Sequence, residues 1–273
     1  MKNILQRTVS GIVYLIIIIG SLFLGKYVFT SVLLLICILA LVEFYNMTGI
    51  SGTALNTILS IIGASGIFIL SFLVTSRLAG YKFLSMAGLL PVLLFVTTLY
   101  SPKAYLVKNL AILFLGIVYV VMPLAVMNYL VFPASNDYVY THRIVLGILV
   151  LVWINDIGAY LTGTLLGRHK LFPRISPKKT WEGMIGGTLL TFIPAFWMDA
   201  IMGILSRTDW IALAAIVSIF GVYGDLTESL IKRNADRKDS GTIMPGHGGV
   251  LDRIDSVLFV MPFAFIYLIC NGL

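Results

Sequence analysis

Long apolar runs dominate this chain and constrain its fold more than any other feature. A hydrocarbon core about 30 Å thick needs about 20 apolar residues for each helical span. Charged residues make up only 11% of the sequence, whereas soluble domains carry about 25%. The sequence therefore predicts an all-α integral membrane protein with about nine transmembrane helices. The predicted spans are Val9–Leu24, Tyr27–Phe44, Leu55–Val74, Phe83–Tyr100, Leu110–Phe132, Ile144–Gly167, Glu182–Leu205, Trp210–Ile231 and Ile254–Cys270.

The distribution of positive charge predicts the orientation of these spans. Loop lysines and arginines of membrane proteins favour the cytoplasmic side. With a cytoplasmic N-terminus, most of the 19 lysines and arginines fall in cytoplasmic segments, above all in 168–181 and 232–253. The same preference accounts for the net charge of +7 without a nucleic-acid partner.

Acidic residues are distributed very unevenly along the chain. Of the 12, only Glu43 precedes Asp137. The sequence therefore predicts a hydrophobic transmembrane scaffold of about five spans in residues 1–140 and a catalytic transmembrane region of about four spans in residues 141–273. Two cytoplasmic loops of the second region, 168–180 and 232–255, hold most of its polar residues.

Carboxylates flank the second of these loops on both sides. Asp225 and Glu228 are three residues apart, which places them on one face of a helix, and Asp252 and Asp255 repeat that spacing. Because consecutive spans are antiparallel, all of them can converge at the membrane surface, and ligation by oxygen alone favours Mg²⁺. The alternative is a set of ordinary solvated ion pairs, such as Glu228 with Lys232. Spacing alone does not decide between the two.

The loop itself combines basic residues with glycines. Lysine and arginine provide charged donors for phosphate, and glycines allow backbone N–H groups to approach an anion at the start of the next helix. These features suit a triphosphate, although a surface turn would have the same composition. The residues in question are Lys232, Arg233, Lys238, Gly246, His247, Gly248, Gly249 and Arg253.

The earlier loop ends in Ser176-Pro177-Lys178-Lys179-Thr180-Trp181-Glu182-Gly183. Thr180 is expected to cap the following helix, which would aim the N–H groups of that helix at an anion. Gly183 and Gly187 have the spacing of small residues that permit close helix contact. Asp156 lies inside a predicted span, where an ionisable side chain is costly and therefore a functional candidate.

Several stretches of the C-terminal part resemble the signature of one enzyme family. They are Ser229-x-x-Lys232-Arg233 with Lys238-Asp239, then Pro245-Gly246-His247-Gly248-Gly249, then Asp252-Arg253-x-Asp255. In this signature the chain resembles the phosphatidate cytidylyltransferases, also called CDP-diacylglycerol synthases. The Asn155-Asp156 pair and the stretch 176–183 also look like elements of that family.

The resemblance implies a reaction of CTP with phosphatidate that gives CDP-diacylglycerol and pyrophosphate, with Mg²⁺ required. It implies a homodimer in a bacterial inner membrane, with the N-terminus and the active site on the cytoplasmic side. The implied metal ligands are Asp225, Glu228, Asp252 and Asp255, with Asp239 either the ligand of a second cation or a partner of Lys238. The implied catalytic residues are Asp225, Asp252, Asp255, Lys178, Lys179 and Asp156. The implied substrate-binding residues are Lys232, Arg233, Lys238, Asp239, His247, Gly248, Gly249, Arg253, Ser176 and Asn155.

Two other functions share some of these features. A CDP-alcohol phosphatidyltransferase also uses carboxylates of adjacent spans with a divalent metal, but the ordered Asp-Gly, Ala-Arg, Gly and paired Asp pattern of that family does not occur in this sequence. A cation or proton transporter would use Asp156, Asp225 and Glu228 as a path through the membrane. It would have little use for the basic, glycine-rich loop.

Overall fold

The computed structural model describes residues 2–50, 54–100, 106–243 and 248–272, and these are mainly helical. Each predicted apolar run lies largely on helix, which confirms the all-α membrane class. The α-helices are α1 Lys2–Phe23, α2 Lys26–Thr48, α3 Ala54–Thr75, α4 Leu89–Leu99, α5 Leu106–Gly116, α6 Met122–Leu130, α7 Arg143–Leu166, α8 Trp181–Ala195, α9 Met198–Met202, α10 Arg207–Asn234 and α11 Asp255–Cys270. The 3₁₀ segments are Tyr81–Gly88, Ala134–Asn136 and Leu251–Arg253, and a π-helical segment, Ile117–Val121, joins α5 to α6. Two strands, β1 Lys170–Phe172 and β2 Ser176–Thr180, form an antiparallel hairpin.

Within the described residues, six helical stretches are long and apolar enough to cross a membrane. They are Lys26–Thr48, Ala54–Thr75, Tyr81–Leu99, Val107–Asn136, Arg143–Leu166 and Arg207–Asn234. The first and last predicted spans correspond to the shorter apolar helices Val9–Phe23 and Asp255–Cys270. A total of nine spans is therefore not confirmed.

The seventh predicted span, Glu182–Leu205, is interrupted in the structure. Helix α8 ends at Ala195, directly after Pro194, and α9 begins only at Met198. Proline lacks a backbone N–H and its ring clashes with the carbonyl four residues earlier, so it tends to bend or end a helix. The prediction of one continuous helix over this segment was wrong for that reason.

The chain divides into two compact units. The first comprises Met1–Tyr140 and Ala235–Arg253, and the second comprises Thr141–Asn234 and Ile254–Leu273. Helices α1 to α6 thus group with the loop that follows α10, whereas α7 to α11 group with the hairpin. The assignment of a scaffold role to residues 1–140 and a catalytic role to residues 141–273 stays a prediction.

In the first unit, helix α2 packs against α1, α3, α5 and α6. Phe44 of α2 is fully buried, and the neighbouring Tyr45 donates its hydroxyl to the carbonyl of Leu113, with an O–O distance of 2.9 Å. A Cβ atom at Gly116 would overlap the Tyr45 ring, so glycine allows α5 to approach α2 closely. The 3₁₀ turn Leu251–Arg253 also contacts α2, which places the C-terminal end of the glycine-rich loop beside this helix.

In the second unit, helices α7 and α8 pack closely through small residues. A Cβ atom at Gly187 would lie 2.8 Å from the carbonyl oxygen of Asn155, and one at Gly183 would lie 2.8 Å from the carbonyl oxygen of Ala159. These contacts confirm the close helix packing predicted for Gly183 and Gly187. Helices α10 and α11 are joined by the stacked rings of Phe220 and Phe263, whose centroids are 3.5 Å apart.

The hairpin is attached to the start of α8. Thr180 adopts an extended backbone conformation and its hydroxyl oxygen accepts the N–H of Gly183 at 3.1 Å, which confirms the predicted N-cap. Glu182 reaches back across the hairpin and contacts Nδ1 of His169 at 2.6 Å. These contacts set the direction in which β2, with Lys178 and Lys179, leads into the helix.

Candidate active site

Three carboxylates from two helices form an acidic cluster in the second unit. Asp225 and Glu228 lie one turn apart on α10, and Asp255 is the first residue of α11. One oxygen of each carboxylate lies within 4.8 Å of the others. The two helices can approach because α10 carries Gly224 at this point, where a Cβ atom would lie only 2.5 Å from the Asp255 carbonyl oxygen. We refer to Asp225, Glu228 and Asp255 as the acidic cluster.

Two lysines compensate part of the charge of the acidic cluster. Lys179 of β2 contacts Asp225 with an N–O distance of 2.6 Å, and its ammonium group also donates to the carbonyl oxygen of Val222 at 3.3 Å. Lys232 contacts Glu228 with an N–O distance of 2.5 Å. The Lys179 contact joins a predicted catalytic lysine directly to a predicted metal ligand.

The pair of Glu228 and Lys232 is not an ordinary solvated ion pair. Only 1% of the Glu228 side chain and 13% of the Lys232 side chain are exposed. The helical spacing predicted the contact correctly, but its burial was not foreseen. Burying charges is costly unless they are paired and hydrogen-bonded, so this pair is a structured part of the acidic cluster.

Helix α7 contributes Asn155 and Asp156 beside the acidic cluster. The side chain of Asp156 is exposed, and its charge acts on the Asp255 carboxylate together with that of Asp225. Asn155 is buried, and its side-chain oxygen accepts the hydroxyl of Thr191 on α8 at 3.4 Å. Asn155 therefore joins two helices, and its predicted contact with substrate stays a prediction.

Asp252 has a different environment from Asp255. It lies in the 3₁₀ turn Leu251–Arg253, and its carboxylate accepts the backbone N–H groups of Gly249 at 2.7 Å and Ser240 at 3.1 Å. Helix α11 starts only at Asp255, because Ile254 has the non-helical dihedrals φ −120° and ψ 0°. The prediction that Asp252 and Asp255 share one helix was therefore wrong. The predicted role of Asp252 as a metal ligand stays a prediction.

Gly248 and Gly249 allow the loop to close around Asp252. Gly248 has φ +87°, a conformation that favours glycine, and a Cβ atom there would lie 2.5 Å from an Asp252 carboxylate oxygen. His247 and Gly246 lie outside the described residues. The remaining predicted substrate-binding residues are exposed or half-buried: Arg233, Lys238, Asp239 and Arg253 are exposed, as is the predicted catalytic residue Lys178, and Ser176 is half-buried.

Comparison with known proteins identifies the family of this chain. A model of the cytidylyltransferase family matches residues 5–271. The chain belongs to this family. It is 33% identical over 278 residues to the phosphatidate cytidylyltransferase of Bacillus subtilis, covering 98% of both chains. It is 36% identical over 264 residues to the phosphatidate cytidylyltransferase of Staphylococcus saprophyticus, covering 96% of this chain and 98% of the relative.

The sequence did not predict one residue that contacts the glycine-rich loop of this cytidylyltransferase-family chain. Glu43 of α2 is only 4% exposed, and its carboxylate accepts the backbone N–H of Leu251 at 2.9 Å. The signal was present, because Glu43 is an ionisable residue inside a predicted span and such residues are functional candidates.

Proposed function

We propose that this membrane protein transfers the cytidylyl group of CTP to phosphatidate, forming CDP-diacylglycerol and releasing pyrophosphate. Membership in the cytidylyltransferase family and two relatives named phosphatidate cytidylyltransferase support this proposal. The observation that carries it within the structure is the acidic cluster with Lys179 bound to Asp225. Such an arrangement of opposite charges can hold both a cation and phosphate oxygens.

In the proposed reaction, a phosphate oxygen of phosphatidate attacks the α-phosphorus of CTP. A new bond forms between that oxygen and the phosphorus. The bond from the α-phosphorus to the oxygen that bridges it to the β-phosphorus breaks, and pyrophosphate leaves with the electron pair. Phosphoryl-type transfers depend mainly on positioning and charge stabilisation. The half-buried Lys179 is the residue that we assign to the transferring phosphate, and Asp225 orients its ammonium group.

The acidic cluster suits a divalent cation such as Mg²⁺. Oxygens bound to one Mg²⁺ at about 2.1 Å lie about 3 to 4 Å apart, and those of the acidic cluster lie within 4.8 Å of one another. These oxygens are therefore close enough together that they would share one cation. We assign Asp225, Glu228 and Asp255 as ligands, with Asp252 as a proposed fourth. When bound, the cation supplies positive charge that offsets the phosphates of both substrates.

The remaining basic residues of the signature suit the triphosphate of CTP. Arg233, Lys238 and Arg253 are exposed, so each is accessible to a soluble nucleotide. We propose that these residues face the cytoplasm and that the protein resides in a bacterial inner membrane. The expected homodimer stays a prediction.

An activity assay with chelator tests the proposed reaction. Detergent-purified protein with CTP, phosphatidate and Mg²⁺ should form CDP-diacylglycerol and pyrophosphate in equal amounts. Excess chelator should abolish both products, because the acidic cluster then lacks the charge needed to bring two anions together. Undiminished turnover in chelator would contradict the metal assignment, and absence of product from the untreated protein would contradict the proposed function. Conversion of CDP-diacylglycerol and an alcohol would instead support the phosphatidyltransferase alternative.

Cysteine labelling tests the proposed orientation. After replacement of Cys37 and Cys270, single cysteines at Arg174 and Asn234 should react with a membrane-impermeant reagent only from the cytoplasmic side. A cysteine at Ser135 should react only from the outside. All three positions are exposed, whereas Ser240 is 2% exposed and is unsuitable as a reporter. If the cysteines at positions 174 and 234 were labelled from opposite sides, this would contradict a common cytoplasmic location for the two polar loops.

A further inference from the structure

A single carboxylate from α2 joins the two ends of the loop from Ser240 to Leu251. The Glu43 carboxylate accepts the backbone N–H of Leu251 at 2.9 Å and the hydroxyl of Ser240 at 3.5 Å. These two partners lie at opposite ends of the glycine-rich loop. The loop is therefore closed through a side chain from a distant part of the sequence.

The glycines at both ends of the loop pack directly on the Glu43 carboxylate. A Cβ atom at Gly249 would lie 2.5 Å from Oε2 of Glu43, and one at Gly241 would overlap Oε1. No other residue type would fit between the loop backbone and this carboxylate without displacing it. Glycine at these positions thus leaves room for Glu43 and, at Gly249, also for the Ser240 hydroxyl.

The same contacts extend to Asp252. Ser240 donates its hydroxyl to Glu43 and its backbone N–H to Asp252, and Gly249 packs on Glu43 while it donates its N–H to Asp252 at 2.7 Å. Ser240 and Gly249, which both donate to the Asp252 carboxylate, are therefore also among the loop residues that touch Glu43. A shift of Glu43 would move Ser240 and Gly249, and with them the orientation of Asp252.

Burial of Glu43 is costly, and packing alone does not explain it. An isolated buried carboxylate is strongly unfavourable unless hydrogen bonds compensate it, and leucine or methionine would fill the same space on α2 without that cost. The described residues provide hydrogen bonds only to Oε2 of Glu43, and Oε1 is buried without a hydrogen-bond partner among them. Burial of this carboxylate therefore costs free energy, and its described hydrogen bonds are with the glycine-rich loop.

We propose that Glu43 is a positioning residue that holds the two ends of the loop, 240–241 and 249–251, and through them Asp252 and the predicted CTP-binding residues Gly248 and Gly249, in the reactive arrangement. It acts through Ser240, Gly249 and Leu251 and does not itself contact substrate. The kinetic consequence of this inference rests on the proposed function. Its structural consequence, a loop held by one carboxylate, is independent of that function.

Hydrogen exchange tests the structural consequence. In Glu43→Ala, peptides that contain residues 249–251 should exchange at least about tenfold faster than in the unmodified protein, because the loop opens locally. Peptides from α3 should be unchanged. Glu43→Gln retains one carbonyl oxygen as an acceptor and the same volume, so it should show an intermediate rate. If both variants exchange at the unmodified rate, Glu43 does not hold the loop.

Kinetics test the positioning role. Glu43→Ala should lower kcat/KM for CTP by about 100-fold, as expected when reactive groups are misplaced by about 1 Å, and Glu43→Gln should recover part of that loss. The KM for phosphatidate should not change. Phe44→Leu is the matched control: it disturbs the adjacent, fully buried position of α2, so it should lower thermal stability without changing these constants.

The outcomes separate this inference from the proposed function. An active unmodified protein with unchanged kinetics in Glu43→Gln and Glu43→Ala would overturn the positioning role. If Glu43→Ala fails to fold, the near-isosteric Glu43→Gln decides: unchanged CTP kinetics would then overturn it. An inactive unmodified protein would contradict the proposed function alone, and hydrogen exchange would still decide whether Glu43 holds the loop.

Discussion

Asp255→Asn is expected to lower kcat by about 1,000-fold, equivalent to about 4 kcal/mol of transition-state stabilisation, while the protein remains folded in detergent. The substitution keeps the side-chain volume and removes the charge of one member of the acidic cluster. Asp225→Asn should have a similar effect, because its carboxylate lies in the same cluster and also holds Lys179. Steady-state kinetics over a range of Mg²⁺ concentrations, with thermal unfolding in parallel, would measure both effects.

Asp209→Asn is the matched control for these substitutions. Asp209 is a half-buried carboxylate at the opposite end of α10, where it accepts the N–H of Ser206 and the hydroxyl of Tyr267. Asparagine keeps one oxygen to accept the N–H of Ser206, and its NH2 group can donate to the Tyr267 hydroxyl, so activity should be retained. If Asp225→Asn and Asp255→Asn also kept normal kcat and Mg²⁺ dependence, the carboxylates would be simple ion-pair partners. The proposed metal site would then have to move toward Asp156 and Asp239.

Asp252→Asn distinguishes a metal ligand from a loop residue. Asparagine can still accept the N–H groups of Ser240 and Gly249 through its carbonyl oxygen, so the loop should keep its protection from hydrogen exchange. A large loss of kcat with a protected loop would support metal ligation by Asp252. Retention of kcat would indicate that Asp252 closes the loop and does not ligate the metal.

Lys179→Met is expected to lower kcat by about 100- to 1,000-fold, the range in which loss of one group that stabilises transition-state charge falls. It should also tighten Mg²⁺ binding, because the cation no longer competes with the ammonium group for Asp225. Opposite changes in kcat and metal affinity are not expected from a purely structural defect. A metal titration of initial rates, together with direct measurement of Mg²⁺ binding, would test both effects.

Two other lysines of the hairpin serve as comparisons for Lys179. Lys170 is exposed on β1 of the same hairpin, so Lys170→Met should leave kcat and Mg²⁺ affinity unchanged. Lys178 is exposed next to Lys179, and Lys178→Met should cause a smaller loss than Lys179→Met. Equal losses for the Lys178 and Lys179 variants would indicate that the hairpin contributes only overall positive charge, and not one oriented ammonium group.

The local features of this chain were predictable because they depend on residues close in sequence. The apolar runs determine helices, since a buried or lipid-facing backbone satisfies its hydrogen bonds most simply within each helix. The Thr180 cap depends on the three residues that follow it. The shared face of Asp225 and Glu228 follows from helical periodicity, and the ion pair of Glu228 with Lys232 follows from the same geometry. The interruption of the seventh run also has a local signal, because Pro194 directly precedes the last residue of α8.

The long-range contacts of the candidate site were decided only by the tertiary structure. Nothing in the local sequence of α2 indicates that Glu43 meets Leu251, which lies far along the chain. Likewise, the approach of α11 to Gly224 brings Asp255 to Asp225, and the course of β2 brings Lys179 to the same carboxylate. Such pairings depend on which apolar faces pack together, and many arrangements of helices satisfy the same hydrophobic pattern. The sequence by itself therefore determined the membrane class, the helices and the chemistry of the signature, whereas packing decided which charges meet.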